Sequence, residues 1–187
     1  AFGFQDSGGH NQIGGCLKGL RELEAKGWFQ LPEPQSPNAV PSPRRLSSSV
    51  APPVGVPAEV SDVVGLELIL IQQQSQMRIW NELMIGEHPQ GAGPLVGRQV
   101  RYLIGSAHGW LGGFGFAAPA LQLADRDRWI GWDREQRRAH LHGVVCLSRF
   151  LIRSSVECRN LASRLLSMSL QQMGEDFQRR YHYRPWL

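Results

Sequence analysis

The chain has 187 residues, of which 42% are hydrophobic and 19% are charged, and its formal net charge is +4 at pH 7. This length allows one ordinary domain with an appendage, and this composition supplies a globular core. The mild basic excess falls short of a dedicated nucleic-acid coat protein, and no apolar run approaches the roughly 20 residues that cross a bilayer, so no membrane partner is predicted.

The first 32 residues predict a short helix followed by a strand. The apolar positions with helical spacing are Leu17, Leu20 and Leu23. Gly27 is a natural helix stop, and residues 28–31 favour a strand ended by proline. A helix followed by a strand is the closing half of many winged-helix modules, in which Lys18 and Arg21 would face DNA. The alternative, favoured because the preceding helices are missing, is an amphipathic helix packed on the main domain.

Residues 33–57 have the composition of a linker. Eight of the twelve prolines of the chain fall between Pro32 and Pro57, where large apolar side chains are few. Such a segment buries too little apolar surface to offset its ordering entropy, so we expect a disordered or loosely draped connector. Within it, Arg44 and Arg45 are interpreted as a solvated charge pair.

Residues 58–187 predict the main domain, in which strands and helices alternate. The predicted elements are a strand at 63–71, a helix at 75–85, strands at 97–104 and 110–121 joined by a hairpin, a loop or short strand at 125–133, a helix at 134–148, a strand at 149–152, a helix at 159–181 and a strand at 182–187. This order predicts an α/β (α+β) fold whose mixed, twisted sheet is antiparallel first and parallel later, with flanking helices.

Two local signals refine these elements. The glycines at 112, 113 and 115 predict a bulge or a close backbone approach in the second hairpin strand. Asp133 is a good N-cap for the helix that follows it.

Positive charge is concentrated in the C-terminal third of the chain. From Asp125 onward, twelve arginines and no lysine stand against seven acidic residues. The planar guanidinium suits phosphate recognition and packed internal ion pairs alike, so both interpretations stay open. The densest group, taken as candidate nucleic-acid ligands, comprises Arg126, Arg128, Arg134, Arg137 and Arg138.

Two tryptophans accompany these arginines. Trp129 and Trp132 offer faces on which bases stack, while guanidinium groups neutralise phosphates. The alternative, favoured for both indoles, is burial in the core. The arginine face is therefore the better candidate for a contact with DNA.

Other chemical signals are weak. The three cysteines are far apart and odd in number, which indicates reduced thiols in a cytoplasmic protein. His142 and Cys146 share one helix face, but no second pair has the spacing of a metal site, so no metal is predicted. No catalytic set of residues follows from the spacing either.

The motifs LVGRQVRYLI, RDRWIGWD and RFLI lie in a stretch from Trp80 to Leu187 that resembles the DruA family of the Druantia anti-phage system, and the resemblance extends to residues 9–32. The residues that carry it are Gln99, Arg101, Tyr102, Arg126, Arg128, Trp129, Ile130, Gly131, Trp132, Arg149, Phe150, Leu151, Asn160, Leu161, Ala162, Ser163, Tyr181 and Pro185. A similar domain accompanies transposase domains in some insertion-sequence proteins. The resemblance implies a nucleic-acid-associated module of a defence or transposase-related protein, with DNA and other components of such systems as partners.

The chain departs from that family at two points. Pro89 stands where relatives usually have a tyrosine, and the chain stops where the family continues into an acidic strand. We therefore expect a fragment whose sheet is incomplete at its C-terminal edge.

The order of elements is also similar to that of GNAT-type acetyltransferases, which implies a GNAT-like fold. In those enzymes a loop opens a helix whose free N–H groups hold the pyrophosphate of acetyl-CoA. The candidate anion or cofactor loop here comprises Arg159, Asn160, Leu161, Ala162 and Ser163. Because Asn160 brings a side chain where glycine would avoid one, an acyl-CoA-dependent N-acyltransferase is the alternative function. Beyond acetyl-CoA in that alternative, no cofactor and no catalytic residue are predicted.

Overall fold

The computed structural model describes residues 13–32 and 42–186, with side chains from residue 19 onward. The chain divides into two compact units, Ala1–Ser42 and Pro43–Leu187. None of the described helices is long and apolar enough to cross a membrane.

The first unit contains the predicted helix but not the predicted strand. Helix α1 spans Ile13–Ala25, and Gly27 follows it with a φ of 76°. Residues 28–31 form no strand, because their backbone donors fold back onto the helix. The N–H of Trp28 bonds to the carbonyl of Leu23 at 3.2 Å, and the N–H of Leu31 bonds to the Glu24 carboxylate at 2.7 Å. The described part of this unit therefore lacks the strand that the closing half of a winged-helix module requires.

The second unit is built on one four-stranded sheet with helices on both faces. Its strands are β1 (Glu67–Leu70), β2 (Val100–Ser106), β3 (Gly109–Ala117) and β4 (Cys146–Ile152), in the spatial order β1-β2-β3-β4. Its helices are α2 (Gln74–Glu87), α3 (Ala124–Ile130), α4 (Arg134–His140) and α5 (Leu161–Tyr181). The predicted class of mixed α and β structure is confirmed.

The described strands pair antiparallel throughout, unlike the late parallel part that the sequence predicts. The reason is the connection through α3 and α4, which returns β4 beside β3, with Phe114 opposite Phe150. A single parallel bridge joins Glu59 to Arg159. At the C-terminal end, residues 182–186 form no strand, and Leu187 lies outside the described residues.

Two further elements differ from the sequence prediction. Residues 124–130 are helical rather than a loop or strand, with Asp125 and Asp127 in the first turn and Gly131 closing the helix in the left-handed conformation. The helix predicted over 134–148 ends at His140, because the chain from Cys146 onward pairs with β3.

A separate apolar core lies on each face of the sheet. On one face, α5 packs Leu165 and Phe177 against Tyr102 and Phe114, and all four side chains are fully buried. In that core the hydroxyl of Tyr102 donates to the buried carboxylate of Asp176 at 2.6 Å. Burial and this hydrogen bond raise the pKa of Tyr102. The tyrosine therefore stays a neutral donor, which is the form that satisfies a buried carboxylate.

On the other face, α2 lies directly on the glycines of β3. A Cβ at Gly113 would lie 3.0 Å from the Trp80 ring, and a Cβ at Gly115 would lie 3.3 Å from it. The indole N–H of Trp80 donates to the carbonyl of Phe114 at 3.0 Å. The sequence prediction for this strand is confirmed, since the register also shifts between Gly115 and Phe116.

Residues 43–57 belong to the second unit and are held by its other elements, in contrast to the loosely draped connector expected for 33–57. Residues 33–41 lie outside the described part. The Arg153 guanidinium donates to the carbonyls of Val50 and Ala51 at 3.1 and 2.6 Å and to the Glu87 carboxylate at 2.7 Å. Arg45 pairs with Glu82 through two hydrogen bonds of 2.9 and 2.7 Å. The carbonyls of Val50 and Ala51 and the charge of Arg45 are thus paired with residues outside this segment.

We predict that Gly112→Ala destabilises the protein by about 3 kcal/mol, because the new Cβ overpacks a strand pair. That Cβ would lie 1.9 Å from the carbonyl oxygen of Leu151, so β3 and β4 would have to separate. Urea unfolding measures the loss. Gly86→Ala is the matched control, since Gly86 lies in α2 with open space around it, and it is expected to stabilise by about 0.5 to 1 kcal/mol. Equal stability of the two variants would contradict the prediction.

We predict that Arg153→Met frees the segment at 43–57. Only 8% of Arg153 is exposed, and its loss leaves one carboxylate oxygen of Glu87 and two carbonyls without their donor. Trypsin should then cleave after Arg44 or Arg45 several-fold faster than in the unchanged protein. Arg164→Gln, which removes an exposed arginine of α5, should leave the cleavage rate unchanged. An unchanged rate in Arg153→Met would show that other contacts hold the segment.

Candidate nucleic-acid interface

The α3–α4 connection contains the five arginines of the second unit that the sequence predicted as nucleic-acid ligands. Asp133 caps α4 as predicted, accepting from the N–H of Gln136 at 2.8 Å, while the Gln136 side chain accepts from the N–H of Asp133 at 3.0 Å. This reciprocal cap fixes where a seven-residue helix begins. Arg134, Arg137 and Arg138 therefore project from a defined first and second turn.

Two of the five arginines are held by one aspartate. The Arg126 guanidinium bonds to Asp127 at 2.9 and 2.6 Å and to the carbonyl of Ala120 at 2.6 Å. Arg137 reaches the other oxygen of Asp127 at 3.1 Å. Burial alone would raise the pKa of the Asp127 carboxyl, but the two guanidinium groups outweigh it and hold that pKa below its ordinary value. Arg137 thus ties α4 to Asp127 of α3, while Arg126 ties α3 to the preceding chain at Ala120. Acid that protonates Asp127 would weaken its pairs with both guanidinium groups.

The other three arginines face solvent. Arg128 is 79% exposed and has only a long contact of 3.4 Å to the exposed Asp125. Arg134 and Arg138 are exposed and make no hydrogen bond or salt bridge to any residue that the structure describes. Such cations are free to meet an anion without breaking an internal pair.

A shallow groove of about 300 Å³ runs along this side of α4. It is lined by Leu121, Gln122, Arg134, Arg137, Arg138 and Leu141. Leu121, Gln122 and Leu141 were not predicted from the sequence. The signal for Leu141 was the spacing of 134, 137, 138 and 141, which places four residues on one helical face.

Trp129 is exposed rather than buried in the core, in contrast to the alternative that the sequence favoured. Its side chain is 80% accessible to solvent, and it lies beside Arg128 in α3. Trp132 is half-buried, with its ring 6.1 Å from that of His140, which lies 5.6 Å from Trp186. One indole therefore presents an open face and the other packs under α4.

The N-terminal candidates lie on α1 in the first unit. Arg21 is exposed there, while the side chain of Lys18 lies outside the described residues. Without a strand at 28–31, the described residues of this unit do not form the closing half of a winged-helix module, which was the reason for proposing Lys18 and Arg21.

The candidate anion loop at the start of α5 is partly engaged. The Arg159 guanidinium lies 3.0 Å from Glu59, and the backbone N–H of Arg159 donates to the carbonyl of Ala58 at 2.7 Å. Asn160 has a φ of 59°, which is unusual for a residue other than glycine, and its side chain forms no cap. The Leu161 side chain is buried, whereas Ala162 and Ser163 are exposed.

Comparisons with known proteins identify the family. Among the described residues, no three His, Cys, Asp or Glu side chains lie close enough to hold a metal ion, so metal-site geometry offers no assignment. No curated protein and no solved structure matches the chain. The family model described as Druantia protein DruA matches residues 18–187, which includes part of the first unit, all of the second and the whole α3–α4 connection. The chain therefore belongs to the DruA family of Druantia proteins, a family of anti-phage defence proteins.

Proposed function

We propose that this DruA-family chain is a nucleic-acid-associated module that binds DNA through the α3–α4 face. This face is defined by Arg128, Trp129, Arg134 and Arg138. The observation that carries the proposal is that three cations and one indole are exposed on a connection whose other two arginines are tied to Asp127. The tie matters because it fixes the backbone that carries the exposed groups, so that binding has to order only their side chains.

The chemistry of the face suits a polyanion. Guanidinium groups neutralise phosphates and release counterions, and an exposed indole stacks on an unpaired base. The groove along α4 adds Gln122, whose amide can both donate and accept hydrogen bonds. A role for Lys18 and Arg21 and a relation to transposase-associated proteins belong to the same proposal, as does a cytoplasmic location with other defence components as partners.

The acyl-CoA alternative has less support from the geometry. A pyrophosphate needs several free N–H groups in a loop without intruding side chains. In the candidate loop, Arg159 is engaged with Glu59, and Asn160 carries a side chain in the left-handed conformation. The GNAT-like topology stays a prediction of the sequence.

We predict that replacing Arg128, Arg134 and Arg138 together by Gln weakens duplex DNA binding at least about tenfold at low salt. Each phosphate contact contributes about 0.9 to the slope of log K against log salt, so the slope should fall by about 2 to 3. Fluorescence anisotropy of a labelled duplex across a salt series measures both quantities. The matched control removes three exposed arginines elsewhere in the second unit, namely Arg44, Arg78 and Arg164.

The control variant loses the same net charge and should retain its affinity within about twofold at equal salt. Equal losses in the two triple variants would show that binding follows net charge rather than this face. Absence of any affinity for DNA at low salt in the unchanged protein would refute the proposed function.

We predict that Trp129→Ala weakens binding of single-stranded DNA about tenfold and leaves duplex binding nearly unchanged. Stacking of one base on an aromatic side chain is worth about 1 to 3 kcal/mol, and paired bases do not offer that face. Competition between labelled single-stranded and duplex DNA gives the ratio. Since Trp129 is exposed, the melting temperature should stay constant, and a similar loss for both forms would argue against stacking.

A further inference from the structure

A second positively charged site lies elsewhere on the second unit, away from α3 and α4. A cleft of about 530 Å³ opens where the end of β1, the first turn of α2, the start of β2 and the last turns of α5 meet. Three arginines line it, namely Arg101, Arg179 and Arg180. We call it the arginine cleft, and none of its residues belongs to the α3–α4 face.

Arg101 lies in this cleft and forms no salt bridge with any residue that the structure describes. Its guanidinium lies 5.0 Å from the centre of the Trp80 ring, and its Nε is buried without a hydrogen-bond partner among the described residues. Burial, then Arg180, then Arg149 act to lower the pKa of Arg101, with Tyr181 opposing them. The structure thus places the largely desolvated Arg101 near two other cations, Arg180 and Arg149. This arrangement of like charges is unfavourable unless an anion joins them.

The one carboxylate that lines the cleft is already engaged. Asp176 accepts from the Tyr102 hydroxyl with one oxygen and from Arg179 with the other. Three guanidinium groups against one carboxylate leave two positive charges in excess. Just before α2, the N–H groups of Gln72 and Gln73 both donate to the side chain of Gln76. The positive charge that an incoming anion would meet in the cleft is that of the guanidinium groups.

From this juxtaposition we infer that the arginine cleft binds the phosphate monoester of a nucleotide, either free or at the end of a nucleic-acid strand. A phosphate monoester carries a charge of about −1.5 to −2 at pH 7, which matches the excess, and guanidinium forks bind phosphate oxygens in pairs. The volume falls within the roughly 300 to 1,000 Å³ of small-ligand sites. Leu70, Ile71 and Met77 give one wall an apolar surface for a sugar or base, beside the amides of Gln72 and Gln74.

Thermal denaturation with added ligands tests the site in the full chain. The probes are inorganic phosphate, adenosine 5′-monophosphate, and one oligonucleotide with and without a 5′-phosphate, with adenosine and potassium chloride of equal ionic strength as controls. A ligand that binds the native state raises the melting temperature, and at a given concentration a tighter ligand raises it more. We expect phosphate carriers to raise it and the two controls to leave it unchanged.

Two variants assign the effect to the cleft. Arg101→Met should weaken phosphate binding about tenfold or more, because a charge-assisted pair is lost, and should leave the free protein as stable or more stable. Arg180→Gln changes an exposed side chain and should also weaken binding. Arg164→Gln is the matched control on the same helix, about 24 Å away along its axis, and should bind as the unchanged protein does.

The outcomes separate this site from the proposed function. A larger shift with the 5′-phosphorylated than with the 5′-hydroxyl oligonucleotide identifies a strand end, and a shift with adenosine 5′-monophosphate alone identifies a free nucleotide. Both cleft variants should keep their affinity for internal duplex DNA, while the α3–α4 triple variant should keep its phosphate response. No shift with any phosphate carrier, or a shift in Arg101→Met and Arg180→Gln as large as that of the unchanged protein, would overturn the inference. A purely structural role for Arg101 predicts instead a lower melting temperature in Arg101→Met.

Discussion

The close approach of Trp80 to β3 is the contact on which the second unit depends. Gly113 and Gly115 leave β3 without side chains where Trp80 crosses it, so a large ring lies directly on the backbone. The indole N–H bonds to the carbonyl of Phe114, which fixes the ring in its plane. The ring in turn carries the Arg101 guanidinium on its face. The packing of Trp80 therefore sets the position of α2 and the position of the Arg101 guanidinium. The second effect is expected because the quadrupole of an aromatic ring attracts a guanidinium group.

The arginines of this chain divide into anchors and free cations, and a few carboxylates make the division. Asp127 holds two guanidinium groups at α3–α4, and Glu87 holds Arg153 where the chain from residue 43 meets the sheet. Each of these acids is at least half-buried, so its pairs gain more than an exposed pair would. Because acids are fewer than arginines, the remainder cannot be neutralised internally. The excess charge that the sequence revealed is thus displayed at particular places rather than spread evenly.

Local signals in the sequence predicted the elements whose cause is local. The Asp133 cap, the hairpin between β2 and β3 and the glycine run of β3 all follow from residues close together in the chain. The strand expected at 28–31 was wrong because a strand also needs a neighbour, which no local pattern supplies. The late parallel pairing failed for a similar reason: the direction of β4 depends on how α3 and α4 turn the chain.

The same distinction between local signals and distant contacts applies to the candidate site. The α3–α4 arginines could be found because they are dense in sequence, yet which of them Asp127 holds depends on a contact ten residues away. The arginine cleft left no local signal at all, since Arg101 and Arg180 come from elements 79 positions apart. A single arginine within an apolar strand was the one clue, and without Trp80 as a neighbour it had no interpretation.

The two positive sites differ in dielectric surroundings, and this difference decides what each can recognise. The α3–α4 face is open to water, where salt screens charges within about 10 Å and any phosphate backbone serves equally well. In the arginine cleft, water is largely excluded from Arg101 by the Trp80 ring, so one phosphate held there resists screening and is recognised by its charge and shape. An open face and a desolvated cleft on one sheet therefore suit different tasks, the first to track along a polyanion and the second to hold a single phosphate group.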